Sequence, residues 1–315
     1  MRIFFATDIH GSEVCWRKFL NAGAFHKADV LVMGGDMTGK AMVPIVGADG
    51  PSGTWRLTLQ DQDHVLNGED ELIAMEKRIG DRGYYPIRLS PDEMTAWQAD
   101  PALVDARFKA EMLAQVTRWM ALADERLAGK HIRCIVSPAN DDIFEIDPII
   151  AAAELVDLGE SNLIDLDGFS LVSTGWANPT PWNTFRELPE DQLRERIDGL
   201  VAGVPDRSRA IFNFHAPPYG SNLDNAPKID ADMRYVSGGQ ALIPVGSKAI
   251  RDAILAYSPV LSLHGHIHEG RGAVKIGRTL AVNPGSTYED GVLQAAIVDL
   301  DSKKGEVKRY LLING

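Results

Sequence analysis

Arg2-Ile3-Phe4-Phe5-Ala6-Thr7-Asp8-Ile9-His10-Gly11 opens the chain, and the rest is read from it. Arg2 to Ala6 is short and apolar, with Ile and Phe that suit a pleated surface, and is expected to form a buried strand. Asp8 and His10 follow at once. Residues two apart in extended chain point the same way, so a carboxylate and an imidazole leave one strand end side by side. Gly11 turns the chain into Ser12-Glu13-Val14-Cys15-Trp16-Arg17-Lys18-Phe19-Leu20, a helix capped by Ser12. Open α/β sheets carry their chemistry at such strand ends. Taken alone, the stretch is equally an ordinary strand-to-helix turn.

The arrangement recurs. Val30 to Met33 reads as a second buried strand, and Gly34-Gly35 presents Asp36 at its end. Ile132 to Val136 is a third, running into Ser137-Pro138-Ala139-Asn140-Asp141-Asp142, where crowded carboxylates need a compensating cation unless they form an Asx turn. Ala210 to Phe214 ends in His215, and Pro259 to Leu263 ends in His264-Gly265-His266-Ile267-His268. Alternating histidines have little structural use, because burying several imidazoles is costly without partners, so metal ligation is favoured there. Asp8, His10, Asp36, Asn140, His215, His266 and His268 thus share one kind of position. Oxygen and nitrogen donors without thiolates suit Mn, Fe, Co, Ni or Zn. Seven donors are too many for one ion and about right for two.

Composition narrows the class. The chain has 315 residues, 45% of them hydrophobic and 24% charged, as in a soluble globular protein with a substantial core. A formal net charge of −12 argues against a broad nucleic-acid surface. It leaves room for an anionic substrate held by metal ions, which supply local positive charge. Cys15 and Cys134 imply no disulfide framework, and Cys134 is expected in the core. With no basic n-region, signal-like apolar segment or membrane-length run, the expected location is the cytoplasm and no membrane contact is expected.

Residues 41–100 read as an insertion. Val43 to Val46 and Thr54 to Leu59 are expected to pair as a hairpin across Gly47-Ala48-Asp49-Gly50-Pro51-Ser52-Gly53. Asp61-Gln62-Asp63 begins like a calcium loop, but Val65 and Leu66 fill positions needing a ligand and a glycine. Glu69 to Ile79 reads as a helix whose acidic cluster is a solvated face. Pro101 to Leu127 reads as a long amphipathic helix, with Leu103, Phe108, Met112, Leu113, Val116, Trp119, Met120, Ala123 and Leu127 facing the core. Further helices are expected over Pro148 to Leu155, Pro189 to Val201 and Lys248 to Tyr257, and a strand over Phe169 to Thr174. The tail, from Gly272 onward, alternates like an antiparallel sheet with a turn at Asn283-Pro284-Gly285-Ser286. Gly34 to Lys40 also approaches a P-loop, G-x-x-x-x-G-K, but Ala41 stands where the magnesium-binding hydroxyl belongs.

Asp8-x-His10, Gly35-Asp36, Asn140-x-Asp142, His215 and Gly265-His266-x-His268, in this order, resemble the calcineurin-like metallophosphoesterases. Around His215-Ala216-Pro217-Pro218-Tyr219-Gly220 and His264 to His268 the likeness is to the bacterial and archaeal branch of predicted, Icc-related phosphoesterases. The resemblance covers nearly the whole chain. It implies one domain over 1–315, with an insertion at about 41–100, built as a four-layer α/β/β/α sandwich of two mixed sheets. It also implies two divalent transition-metal ions, manganese first among them. Asp8, His10, Asp36 and His268 would hold one; Asp36 would bridge to the second, which Asn140, His215 and His266 complete. The activity implied is hydrolysis of phosphate esters by a metal-bridging hydroxide.

One position departs from the pattern. Asp141 stands where the family often has the histidine that protonates the leaving oxygen, and Ala139 replaces a glycine. With Asn140, Asp141 and His264 are therefore the catalytic candidates, and two nearby cations are expected to keep Asp141 ionised. No cluster of Arg or Lys falls in the five ligand loops, and the nearest in sequence, Lys228 and Arg271, lie just beyond them and read as surface charges. Diesters are accordingly expected over monoesters, in a small phosphate ester such as a nucleotide rather than nucleic acid; an oligomer is left open. The alternatives are a non-catalytic metal-binding scaffold of the same fold, which lost ligands would betray, and a P-loop-like nucleotide hydrolase, which nucleotide binding without transition metal would support.

Overall fold

The computed structural model describes residues 1–47, 53–230 and 232–315. The strand Arg2–Ala6 lies at the centre of one six-stranded sheet. It runs parallel to Val30–Met33, which continues parallel to Arg133–Val136 and then Val156–Leu158. On its other side Gln294–Asp301 and Glu306–Asn314 add antiparallel neighbours. A second six-stranded sheet is built on Phe169–Thr174, Ala210–Phe214, Leu261–Leu263 and Thr279–Asn283, all parallel, with Leu163–Leu166 and Gly272–Ile276 as antiparallel edges.

Side-chain alternation sets the layers. Ile3, Phe5, Val30, Val32 and Ile135 face Leu171, Ile211, Leu261 and Leu280 across the two sheets. Their neighbours Phe4, Ala6, Leu31, Met33 and Val136 face the other way, onto the helices Glu13–His26 and Pro101–Leu127. In the second sheet Val172, Phe212, Phe214 and Ala281 pack on the helices Glu190–Ala202 and Lys248–Tyr257. Three buried cores in register make a four-layer α/β/β/α sandwich, and strands buried on both faces read as continuous apolar runs.

Several expectations are corrected. The helix after residue 147 is short, Asp147–Ala151, and Val156–Leu158 is a strand, because Val156 pairs beside Cys134. Leu103 is exposed, so the apolar stripe of Pro101–Leu127 meets the core from Phe108, which packs on it half-buried, and its buried residues begin at Met112. The tail does not form one antiparallel sheet. Its first hairpin joins the second sheet and its last hairpin joins the first, since the chain crosses between sheets after Asn283.

Within 41–100, Met42–Gly47 and Thr54–Leu59 pair antiparallel, as expected; the turn residues Ala48 to Ser52 lie outside the described residues. Gln60 and Asp61 both take positive φ, 51° and 59°, and lead into a further strand, Gln62–Asn67. Mirror-image two-residue turns of this kind suit hairpins, which is why the calcium-like sequence here is a turn. With Tyr85–Leu89, also unforeseen, these strands make a separate four-stranded sheet covered by Glu69–Asp81. Its own core gathers Val43, Ile45, Leu57, Leu72 and Ile79. Among the described residues no helix is long and apolar enough to cross a membrane.

In the first helical layer Trp16 and Trp119 are both buried and stacked, 5.0 Å apart at 8°. Trp119→Ala should lower stability by about 3–5 kcal/mol, as for other large-to-small core changes. Urea unfolding checks this, and a loss under about 1 kcal/mol would show that the layer repacks around the gap.

Candidate metal centre

The parallel strands of both sheets release their chains at one edge of the sandwich, and the seven expected donors meet there. Ligand atoms of Asp8, His10 and His268 form one group, those of Asp36, His215 and His266 a second, and those of His10, Asp36 and Asp141 a third, each within 4.8 Å. His10 Nε2 is 3.1 Å from His268 Nε2 and 3.8 Å from Asp36 Oδ2. His215 Nε2 is 3.2 Å from Asp36 Oδ2 and 3.7 Å from Asp8 Oδ1. Asn140 Oδ1 lies 2.8 Å from His266 Nδ1. Asp36 therefore stands between the two main groups.

The backbone is bent to achieve this. Asp8, His10, Asp36 and His266 have φ of 54°, 36°, 50° and 67°. Residues with a Cβ seldom adopt that region, and such strain collects where function requires it. Close approach does the rest. A Cβ on Gly265 would sit 2.3 Å from Asp8 Oδ2, and one on Gly35 would sit 2.2 Å from the Cβ of Ala139. Gly265 thus lets ligand loops of the two sheets touch, and Gly35 lets those of neighbouring strands in the first sheet touch.

A buried carboxylate outside the donor set ties two loops together. Asp142 accepts from the amides of Met37, Thr38 and Ala139 at 3.0, 2.8 and 2.8 Å, and from Thr38 Oγ1 at 2.9 Å. This disposes of the P-loop alternative: amides such a loop would offer to phosphate already serve Asp142, and a strand, Met42–Gly47, follows instead of a helix. Buried Arg186 donates to the carbonyls of Asp142 and Ile143 and to both oxygens of Asp147. Thr184 Oγ1 accepts from Asn140 Nδ2 at 3.0 Å and donates to Glu187, which leaves Asn140 Oδ1 toward His266. Tyr288 packs on His10, with ring centroids 4.9 Å apart.

The donor set fits a metal on physical grounds. Asp8 and Asp36 are buried, and isolated buried carboxylates are costly. His10 Nδ1 and His215 Nε2 are buried without a well-formed hydrogen bond. For the protein chain alone, burial opposes charge on Asp8 and Asp36, yet His215 holds both below the usual carboxylate range. In return, against burial, Asp36 and Asp8 push His215 up to about 9. Burial, followed by repulsion from His215, drops His266 to about 4. The cluster thus recruits its own histidine as a cation.

His264 and Asp141 differ from the other candidates. His264 is wholly buried, its Nδ1 donates to the carbonyls of Phe214 and Ala216, and burial lowers it to about 4. Asp141 borders the cluster, with its Oδ2 4.0 Å from His10 Nδ1. Burial and then Asp36 raise it to about 6, partly offset by Lys40. Lys40 corrects the expectation that Lys228 and Arg271 are the basic residues nearest the site: its Nζ lies 3.0 Å from Asp141 Oδ2. The sequence held it only as the last residue of the P-loop-like stretch, and spacing gave no sign of its partner. Thr184 and Arg186 were missed for the same reason.

No family model matches the chain. An uncharacterized protein of Methanocaldococcus jannaschii, MJ1162, is 32% identical over 121 residues, 38% of this chain. The match takes in 49% of that protein, so the chain spans about half the length of the curated relative it matches. One solved structure is 14% identical at TM-score 0.55, covering 99% of this chain and 98% of its own. Another, TT1561 of Thermus thermophilus, is 15% identical at TM-score 0.51, covering 100% and 97%. Likeness at this identity shows fold alone. With the layering described above, it supports a four-layer α/β/β/α sandwich of two mixed sheets, the fold class expected from the sequence.

Two outcomes follow from the site. Since His215 is raised from 6.5 to about 9, its protonated form stabilises chelator-stripped protein fully below pH 6.5, and that contribution is lost as pH rises through about 9. Metal uptake at neutral pH must then displace this proton. Calorimetry in buffers of different ionisation enthalpy should show proton release; none would contradict the His215 assignment. Separately, Thr184→Val frees the Asn140 amide and should weaken metal affinity about 10–100-fold, as loss of an outer-shell partner commonly does. Competition with a chelating dye measures this, and unchanged affinity would remove Thr184 from that role.

Proposed function

We propose that this chain is a metal-dependent phosphoesterase that uses two divalent ions, with manganese the first candidate. One observation carries the reading: seven donors from five loops of two sheets converge in two adjoining groups, with Asp36 of one 3.8 Å from His10 of the other and Asn140 beside His266. Asp8, His10 and His268 would hold one ion, and Asp36, His215, His266 and Asn140 the other, with Asp36 serving both. Two such ions supply Lewis-acid charge, lower the pKa of a shared water and draw in the non-bridging oxygens of a phosphate ester.

The chain's own residues orient and balance that chemistry. His215 Nδ1 is anchored on Gly34 O at 3.0 Å, which directs Nε2 into the cluster. The amide of Asp141 donates to Asp36 Oδ1 at 3.0 Å, and that of His266 to Asp8 Oδ1 at 3.0 Å. These bonds fix both carboxylates. Lys40 enters the site already matched by Asp141, so the pair adds no net positive charge. A diester carries one negative charge where a monoester carries up to two. A site without surplus cation therefore supports phosphodiester hydrolysis as the finer reading. The inserted segment 41–100 is read as an elaboration of a single domain over the whole chain.

Kinetics on manganese-loaded protein with matched aryl mono- and diesters test the reading. Faster diester turnover is expected, and a monoester preference would reverse the finer assignment. Asp36→Asn should lose at least about 10²-fold in kcat and bind less than the full complement of metal, because a shared carboxylate serves both ions. Near-native turnover by that variant would show that Asp36 does not bridge.

A further inference from the structure

Most of the cluster is closed to solvent. The side chains of Asp8, His10 and Asp36 are 1%, 0% and 3% exposed, whereas those of His268, Asp141 and Lys40 are 27%, 22% and 45% exposed. A ligand approaching the donors therefore comes in on the side where these three, with the half-buried His266, are open. Of them only Lys40 carries a permanent cation at neutral pH, raised further, against burial, by Asp141 and Asp36.

Lys40 is held there from both ends. Its backbone follows Gly39, whose amide donates to Tyr85 Oη at 2.8 Å; Tyr85 Oη donates to Gln115 Oε1 at 3.0 Å, and Gln115 Nε2 donates to Gly11 O at 2.9 Å. The inserted sheet, the long helix and the first ligand loop thus meet at this point. Its ammonium lies 3.0 Å from Asp141 Oδ2, and the Asp141 amide is bound to Asp36. An ammonium has three N–H donors, and one carboxylate oxygen uses one. Among the described residues Asp141 is the one carboxylate paired with Lys40.

We propose that Lys40, positioned by Asp141, donates a charge-assisted hydrogen bond to the ester oxygen that departs from phosphorus. The proposal rests on the phosphoesterase reading above. Attacking and leaving oxygens lie roughly in line in phosphoryl transfer. An oxygen activated among the buried donors would attack from that side, leaving the departing oxygen toward the open side, where Lys40 stands. The P–O bond breaks with its electron pair on the departing oxygen. Lys40 stabilises that charge through N–H···O, and water supplies the proton that completes the alcohol. Asp141 cannot take this part while ionised, since a carboxylate only accepts.

The test compares wild type, Lys40→Met and Lys40→Arg as full-length, manganese-loaded proteins. Metal content is measured first and should match in all three. kcat/KM is then followed across aryl diesters of rising leaving-group pKa, and inorganic phosphate affinity is measured by calorimetry. Lys40→Met should lose about 10²-fold on the poorest leaving group, the usual effect of removing one preorganised donor, and little on the best. Its leaving-group dependence is then steeper than that of wild type, and Lys40→Arg recovers most of the difference. Parallel dependences in wild type and Lys40→Met overturn the proposal, even if both rates fall. If metal-replete wild type cleaves no ester, the phosphoesterase reading falls on its own. Phosphate affinity then decides Lys40: a loss of about tenfold in Lys40→Met, in line with one charge-assisted bond, supports it, and an unchanged value overturns it.

Discussion

Two carboxylates buried at neighbouring strand ends set the terms for the rest of this structure. Asp8 and Asp36 are nearly inaccessible to water, and among the described residues neither is in an ion pair with a Lys or Arg. Buried anions in low dielectric require compensating cations, and the surroundings offer imidazoles instead. The chain by itself answers by raising His215 and keeping Asp8 and Asp36 ionised. That compromise leaves ring nitrogens of His10 and His215 without good hydrogen bonds. A divalent ion in each group would satisfy carboxylates and imidazoles together, which is why the donor chemistry and the electrostatics point the same way.

Rigidity around the cluster comes from polar groups that touch no candidate metal position directly. Asp142 binds three backbone amides and so locks the Asp36 loop onto the Asn140 loop. Arg186 then ties the chain after Asn140 to Asp147, and its guanidinium lies over Phe144 at 4.6 Å. Asn283 plays a similar part for the histidine loop, donating to the carbonyl of Ile267 at 2.9 Å and accepting from the amide of Gly285 at 2.8 Å. Strained φ angles at four donors persist because these bonds over-determine the loops.

The inserted sheet changes the mouth of the site more than its floor. Its strand Tyr85–Leu89 supplies the phenol that fixes Gly39, and so sets where Lys40 reaches. The Lys40–Asp141 pair places a matched charge at the entrance, alongside the partly exposed His268 and above the buried Asp8, His10 and Asp36. The sheet formed within 41–100 thereby helps to set what can approach the ligand motifs.

Local rules were enough for much of this. Short continuous apolar runs at Arg2–Ala6, Val30–Met33 and Ala210–Phe214 determined buried strands, and a carboxylate or histidine just beyond each strand pointed to the residues that meet at one edge of the sandwich. The helices Glu13–His26 and Pro101–Leu127 were legible from a cap and a 3.6-residue stripe. Tertiary structure alone decided the rest. Val156–Leu158 is a strand because Cys134 waits beside it, and the tail hairpins divide between sheets because each fills a different open edge. Lys40 meets Asp141, and Thr184 meets Asn140, through long-range packing that no spacing encodes. Motif and period report what a residue's own segment imposes, whereas charge balance at a site depends on which distant segments the fold brings within a few ångströms.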